Sequence, residues 1–196
     1  VLNERRQNYE NRPYGLAGVA LAAALFPPDH PYHWITIGDP DDLRAASLGD
    51  VKAFFETYYH PGNASLTLAG DIETARALDL AERYFGEIPR GPVPPPVTAG
   101  IPLTAEQLLL LEDRVELPRL YLSWHSPAMF HAGDADLDLG ADVLAHGKTS
   151  RLYQRLVYER RVAADVSAYQ HSRELSGVFQ VATTAAAGVS LPVLEE

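Results

Sequence analysis

The sequence predicts an α+β chain of two modules, each an antiparallel sheet packed by helices and both truncated. Three observations carry the prediction. Segments of helical period and strand-like segments alternate in the order helix, helix, strand, helix, then strands, helix, helix, strands. Between these two runs lies "IPRGPVPPPVTAGIP", residues 88 to 102, which holds six of the fifteen prolines. The first and last segments both read as helices, so the chain is expected to begin and end inside elements, as a piece of a longer protein. Proline at such density removes backbone donors and favours extended polyproline conformations. Residues 91–102 are therefore expected to form a stiff linker between modules 1–90 and 103–196.

In the first module residues 1–26 have helical spacing of Leu2, Tyr9, Leu16, Val19, Ala20 and Ala23, with Pro13 expected to bend or interrupt the helix. "FPPDHPYHW" must be irregular. "SLGDVKAFFETYY" has Ser47 as N-cap with Asp50 three residues on, a variant of the capping box, before helix-spaced Val51, Phe54, Phe55 and Tyr58. "ASLTLAGDI" reads as a short, mostly buried strand ended by Gly70. "ETARALDLAERYFGEIP" returns to helix and stops at Gly86.

The second module opens with strand signals over "EQLLLLEDRVELPRLYLSWHSP". "DADLDLGADVLAHG" reads as a helix with acids in its first turn, where they complement the helix dipole. "TSRLYQRLVYERRVA" is a second helix, and "DVSAYQHSRELSGVFQVATTAA" two strands joined by a polar turn. "GVSLPVLEE" starts another helix, with Ser190 as N-cap and Pro192 near the first turn.

Composition excludes several functions. Hydrophobic residues make up 46% and charged ones 21%, the mixture of a globular protein able to bury a core. A formal net charge of -10, from 26 acidic and 16 basic residues, argues against a nucleic-acid-binding face and weighs against an anionic membrane surface. With no cysteine, neither a disulfide framework nor a thiolate zinc site can form. The longest apolar run, "GLAGVALAAALF", is too short to span a bilayer, which takes about 20 apolar residues.

Few polar groups stand at spacings that carry chemistry. His30 and His33 bracket "HPYH" three apart, but no helix holds their rings on one face, so a loop in which a His accepts hydrogen bonds is the commoner outcome than a metal pair. His60, His125, His131, His146 and His171 are scattered and read as surface or packing residues. "GKTS", residues 147–150, resembles the end of a phosphate loop, yet the upstream glycines are missing and no strand precedes it. A helix end at Gly147, with Thr149 or Ser150 capping the next helix, is the plainer account.

Resemblance adds what spacing does not. "VLNERRQNYENRPYG", "ALFPPDHPYHWITIGDPDDLRAASLGDVKAFFETYYHPGNASLTLAGDI" and "YFGEIPRG" resemble the region after the catalytic motif in the insulinase/pitrilysin family of zinc peptidases, the inverzincins. "GKTSRLYQRLVYERRVAADVSA" resembles the start of that family's second domain, which implies two homologous-type modules. The resemblance covers nearly the whole chain, and the order of these pieces is more specific than any one of them.

In that family H-x-x-E-H on a helix supplies two His ligands and a Glu general base. The third ligand is a later Glu, and the family's V-x-x-E segment falls on Val1, Leu2, Asn3 and Glu4. The resemblance thus implies Glu4 as a zinc ligand, with Asn8, Glu10 and Asn11 as candidates to hydrogen-bond around it. No H-x-x-E-H string occurs in these residues, so the chain is expected to lack the general base, to hold no catalytic zinc by itself and to be inactive alone. Many members carry an Arg and a Tyr after the second-domain helix that contact substrate. Here those positions fall on Val157 and Ala164, neither of which donates a hydrogen bond.

The implied function is a zinc metalloendopeptidase acting on peptides or small proteins, with zinc as its cofactor. The alternative is a non-catalytic family subunit that binds peptides or scaffolds a partner peptidase. The implied partners are a peptide substrate and a second copy or paralogous subunit, with neither nucleic acid nor a transmembrane segment. The compartment stays open, a bacterial periplasm ranking ahead of the cytoplasm.

Overall fold

The computed structural model describes residues 1–100 and 105–196. Residues 101–104, where the expected linker ends and the second module begins, lie outside the described residues. The chain forms two compact units: Val1–Ile37 together with Thr98–Glu196, and Gly38–Val97. These divisions fall elsewhere than the expected modules, because the first 37 residues pack in the unit that holds the sheet.

The chain starts with α1 (Leu2–Arg5), which widens at once into a π-helical turn over Arg6–Glu10. The change is visible in the hydrogen bonds: Arg5 N donates to Val1 O, four residues back, whereas Asn11 N donates to Arg6 O, five back. As expected, the helical path breaks around Pro13, and Tyr14 sits at φ 60, a left-handed conformation uncommon for a residue with a side chain. α2 (Ala17–Leu25) follows, then a 3-10 turn over Pro31–His33.

The second unit contains three helices: α3 (Pro40–Ala45), α4 (Leu48–Tyr58) and α5 (Thr74–Phe85). Asp39 caps α3, accepting from Asp41 N at 2.7 Å. The capping box of α4 forms as expected: Asp50 N donates to Ser47 Oγ at 3.2 Å, and Ser47 N donates to Asp50 Oδ2 at 2.8 Å. The expected strand over "ASLTLAGDI" does not form. A strand exists through its ladder, and residues 64–69 pair with no neighbour among the described residues; Leu66 and Leu68 are 57% and 52% exposed. This stretch and α5 instead border an open apolar groove of about 630 Å³, lined by Leu66, Leu68, Ile72, Leu80, Tyr84 and Phe85.

In the first unit the chain resumes with β1 (Arg119–Ser126), α6 (Asp134–Ala145), a helix from Arg151 that is π-wound over Tyr153–Glu159, β2 (Ala163–Ser172), β3 (Gly177–Ala185) and α7 (Leu191–Glu195). The strand signals expected over residues 106–127 give a strand only in the second half; Leu108 and Leu110, earlier in that run, are 89% and 79% exposed. Ser190 takes the N-cap position of α7 but makes no side-chain cap bond.

The sheet is antiparallel throughout in the order β1-β3-β2. A bulge between Ala163 and Asp165 leaves Ala164 out of the ladder. Below it a small apolar core gathers Ala163, Ala185 and Leu194, with Leu120, Leu156, Val157, Val162, Val189 and Leu191 packed around them. The central strand also buries polar side chains, and each finds a partner. Gln180 Nε2 donates to Ser123 Oγ at 2.7 Å, Thr183 Oγ1 donates to Asp165 O at 2.8 Å, and Arg119 Nε donates to Thr184 Oγ1 at 2.8 Å.

Candidate functional site

Glu4 is exposed in the only turn of α1, just before the π-helical turn. Single π-turns inside helices occur frequently at functional sites, because the extra residue re-aims the side chains that follow. Asn8, Glu10 and Asn11 are exposed too. Glu10 accepts a hydrogen bond from Arg5 Nε at 3.2 Å, an ion pair in which the Arg5 side chain is only 14% exposed. The structure therefore engages Glu10 with Arg5 and leaves the Glu4 carboxylate on the open face.

A catalytic zinc takes three protein ligands and an open position. Among the described residues no three His, Asp or Glu side chains gather where they could hold a metal ion. Glu4 offers one carboxylate, so these residues alone do not make a zinc centre.

The two positions matched to the substrate-contacting pair sit apart in character. Val157 packs against the core of Ala163, Ala185 and Leu194, whereas Ala164 is exposed at the bulge. Neither presents a polar group to a ligand.

The loop account of "HPYH" holds. His30 Nδ1 accepts from Tyr32 N at 3.0 Å, and His33 Nδ1 lies 2.7 Å from Phe26 O, so the two rings are committed to separate backbone partners. "GKTS" forms the connection between two helices: Gly147 has φ 76 and Ser150 Oγ donates to Gly147 O at 2.7 Å. A phosphate loop needs a strand before it, and here α6 stands in that place.

Two constellations escaped the sequence reading. Tyr14 ties the start of the chain to the approach of β1: its N donates to Asp113 Oδ2 at 2.8 Å, its hydroxyl donates to Leu117 O at 2.7 Å, and the Arg119 guanidinium lies 4.0 Å from its ring centre. The second gathers Phe26, His30, Tyr32, His125 and Arg173. Phe26 and His30 are 2% and 1% exposed. Burial lowers the pKa of His30, the Arg173 charge lowers it further, and Asp29 acts the other way. Burial likewise lowers His125, opposed by the Leu25 carbonyl and helped by His30. The only sequence signal for this cluster was a His-rich turn with aromatic neighbours; its partners lie nearly 100 or more residues away.

Elsewhere in this unit the buried Asp134 accepts from Phe130 N at 2.9 Å and from Gln170 Nε2 at 3.2 Å, which fixes the start of α6 against β2. The Phe130 amide, then Gln170, hold its carboxyl below the ordinary carboxylate range.

Comparison with known proteins places this architecture. Residues 45–195 match the family model described as the peptidase M16 inactive domain, and the chain belongs to the M16 peptidase family. This bears out the resemblance to the insulinase/pitrilysin peptidases. The chain is 30% identical over 183 residues to the zinc protease PqqE of Helicobacter pylori, covering 89% of this chain and 40% of that protein. A crystal structure of a protease from Helicobacter pylori superposes with a TM-score of 0.84 at 26% identity, over 98% of this chain and 48% of that one. The chain is also 26% identical over 120 residues to the mitochondrial-processing peptidase subunit beta of Caenorhabditis elegans, covering 61% of this chain and 24% of that subunit. It thus spans less than half the length of each of these relatives.

Proposed function

We propose that the whole protein is a zinc-dependent metallopeptidase acting on peptides or small proteins, that Glu4 is one of its zinc ligands, and that this chain alone does not hydrolyse peptides. The observation that carries the reading is the exposed Glu4 carboxylate at the V-x-x-E position, in a helix whose neighbouring acid is already paired with Arg5. The relative named as a zinc protease, similar over 89% of this chain, supports it. The Pro-rich stretch is, on this reading, the boundary between two peptidase-type domains, and a partner subunit completes the assembly.

The experiment is a zinc titration by calorimetry on the whole gene product and on its Glu4→Gln variant. The proposal expects one tightly bound zinc that the variant loses by at least tenfold in affinity, as removal of one ligand of a zinc centre requires. Equal binding by both proteins, or none by either, removes it.

A second reading has its own support. The family model is of the inactive-domain type, and Val157 and Ala164 carry no donor for a substrate. A non-catalytic subunit that binds peptides or scaffolds a partner peptidase is then what the chain serves. Cleavage assays separate the two, since such a subunit gains no activity from zinc.

A further inference from the structure

The cluster around His30 joins three stretches that are distant in sequence. Phe26, His30 and Tyr32 come from the segment after α2, His125 from the end of β1, and Arg173 from the turn between β2 and β3. The Phe26 ring centre lies 4.7 Å from His30, 5.6 Å from Tyr32 and 5.1 Å from His125. The Arg173 guanidinium stacks 3.6 Å from the Tyr32 ring centre and 5.4 Å from that of Phe26. Leu175 N donates to the Tyr32 hydroxyl at 3.1 Å, and Met129 N to Arg173 O at 2.9 Å. These contacts fasten residues 26–33 to one end of the sheet.

The two imidazoles are unusual in this setting. Among the described residues His30 Nε2 and both ring nitrogens of His125 are buried without a partner at hydrogen-bonding geometry, the Leu25 carbonyl being the group that favours a proton on His125. A neutral imidazole bears such burial at modest cost, but an imidazolium at either position would be desolvated, and at His30 it would also face the Arg173 charge.

We propose that His30 and His125 form an acid-sensitive latch: as neutral rings they hold residues 26–33 on the sheet, and protonation releases that segment with α2, while Tyr14 keeps its own hold on the approach to β1. The charged and titratable groups on the elements packed there are few. The segment itself carries Asp29, Tyr32 and His33, and the turn carries Arg173 and Glu174. β1 adds Arg119 and Tyr121, β2 adds Asp165, Tyr169 and His171, the stretch after β1 adds His131, and the start of α6 adds Asp134. α2 and β3 add none. Of these Asp29 favours a proton on His30, Arg173 opposes it, and burial is the largest cause.

The sign follows from the direction of the shifts. Both folded values lie below the free histidine value of about 6.5, so the latched and released forms bind protons equally above it. As pH falls below about 6.5 the released form takes up protons that the latched form excludes, and the latch weakens until pH passes the depressed values. The latch does not depend on what Glu4 binds.

The test is hydrogen exchange by NMR on this chain from pH 7.5 to 5, corrected for the intrinsic pH dependence of exchange. Each proton excluded by the latched form weakens α2 protection by up to about tenfold per pH unit. The expected result is a loss of about tenfold or more in α2 between pH 7 and 5, with β3 amides changing by less than about twofold. His30→Asn keeps an acceptor for Tyr32 N and should flatten the α2 response; His125→Phe should flatten it in part. If neither variant folds, the histidine ring signals of the unaltered chain decide, because both rings must titrate below about 6.5. Parallel behaviour of α2 and β3 across this range, or titration of both rings at the free value, overturns the latch.

Discussion

Gly38–Val97 and the unit built on the sheet use the same local chemistry to different ends. In Gly38–Val97 side chains cap α3 and α4, and α4 and α5 are amphipathic, yet none of the three helices buries a residue. Phe54, Phe55 and Tyr58 of α4 and Tyr59 at its C-cap stack on one another while each remains 45% or more exposed. The buried side chain of this unit is His60, and a Cβ on Gly91 would come within 2.6 Å of its ring, so only glycine lets the Pro-rich stretch pass there. In the sheet unit long-range ladders gather a small closed core. Caps and helical period therefore write helices without guaranteeing that their apolar faces are covered, and burial supplies most of the stability.

The largest expected difference between the units is in opening. Amides of α4 and α5 should exchange at least about a hundredfold faster than those of β3 at pH 7, because segments with few buried contacts open locally at low cost. Limited proteolysis should cut first within 64–73. Equal protection in both units would break the comparison.

Next in size is a pair of truncations of the same residue type. Leu194 is 5% exposed in the core and Leu78 is 66% exposed on α5. Leu194→Ala should cost about 2 to 3 kcal/mol in a urea unfolding experiment. Leu78→Ala should stay within about 0.5 kcal/mol. A large effect at Leu78 would show that its face is covered in solution.

What the sequence made legible follows the same division. Features set within four residues were readable: the Ser47–Asp50 box, the break at Pro13, the stop at Gly86, the start of α6 and the β2–β3 hairpin. Whether an apolar run has a ladder partner is a property of distant residues, and on that point the expectation for "ASLTLAGDI" failed. The same limit hid the sites. Glu4 could be singled out only by resemblance to a family whose V-x-x-E segment it matches, whereas Tyr14 on Arg119 and Phe26 against both His30 and His125 depend on contacts that no local period encodes.

A smaller effect sharpens how the first residues are held. Tyr14→Phe removes the hydroxyl that donates to Leu117 O but keeps the ring under Arg119. The loss should be about 1 kcal/mol in the sheet unit. Tyr14→Ala should cost more, since the stacked cation loses its partner as well.

The smallest effect separates the acid responses of the two units. In Gly38–Val97 the Ser47 amide, then its hydroxyl, hold the Asp50 carboxyl below its ordinary range. A depressed carboxyl contributes stability that is complete above the unfolded value and is lost as pH falls through the folded one. The capped turn of α4 should therefore fray only at pH below about 4, whereas the latch begins to weaken as pH falls below about 6.5. Chemical shifts of the Asp50 and Val51 amides report it directly. Asp50→Asn should remove that titration and leave the α2 response that starts below about pH 6.5 unchanged, because Asp50 belongs to the unit without His30 and His125. If the variant shifted the α2 response, the two units would be coupled in acid, and their different use of burial would not be enough to explain either one.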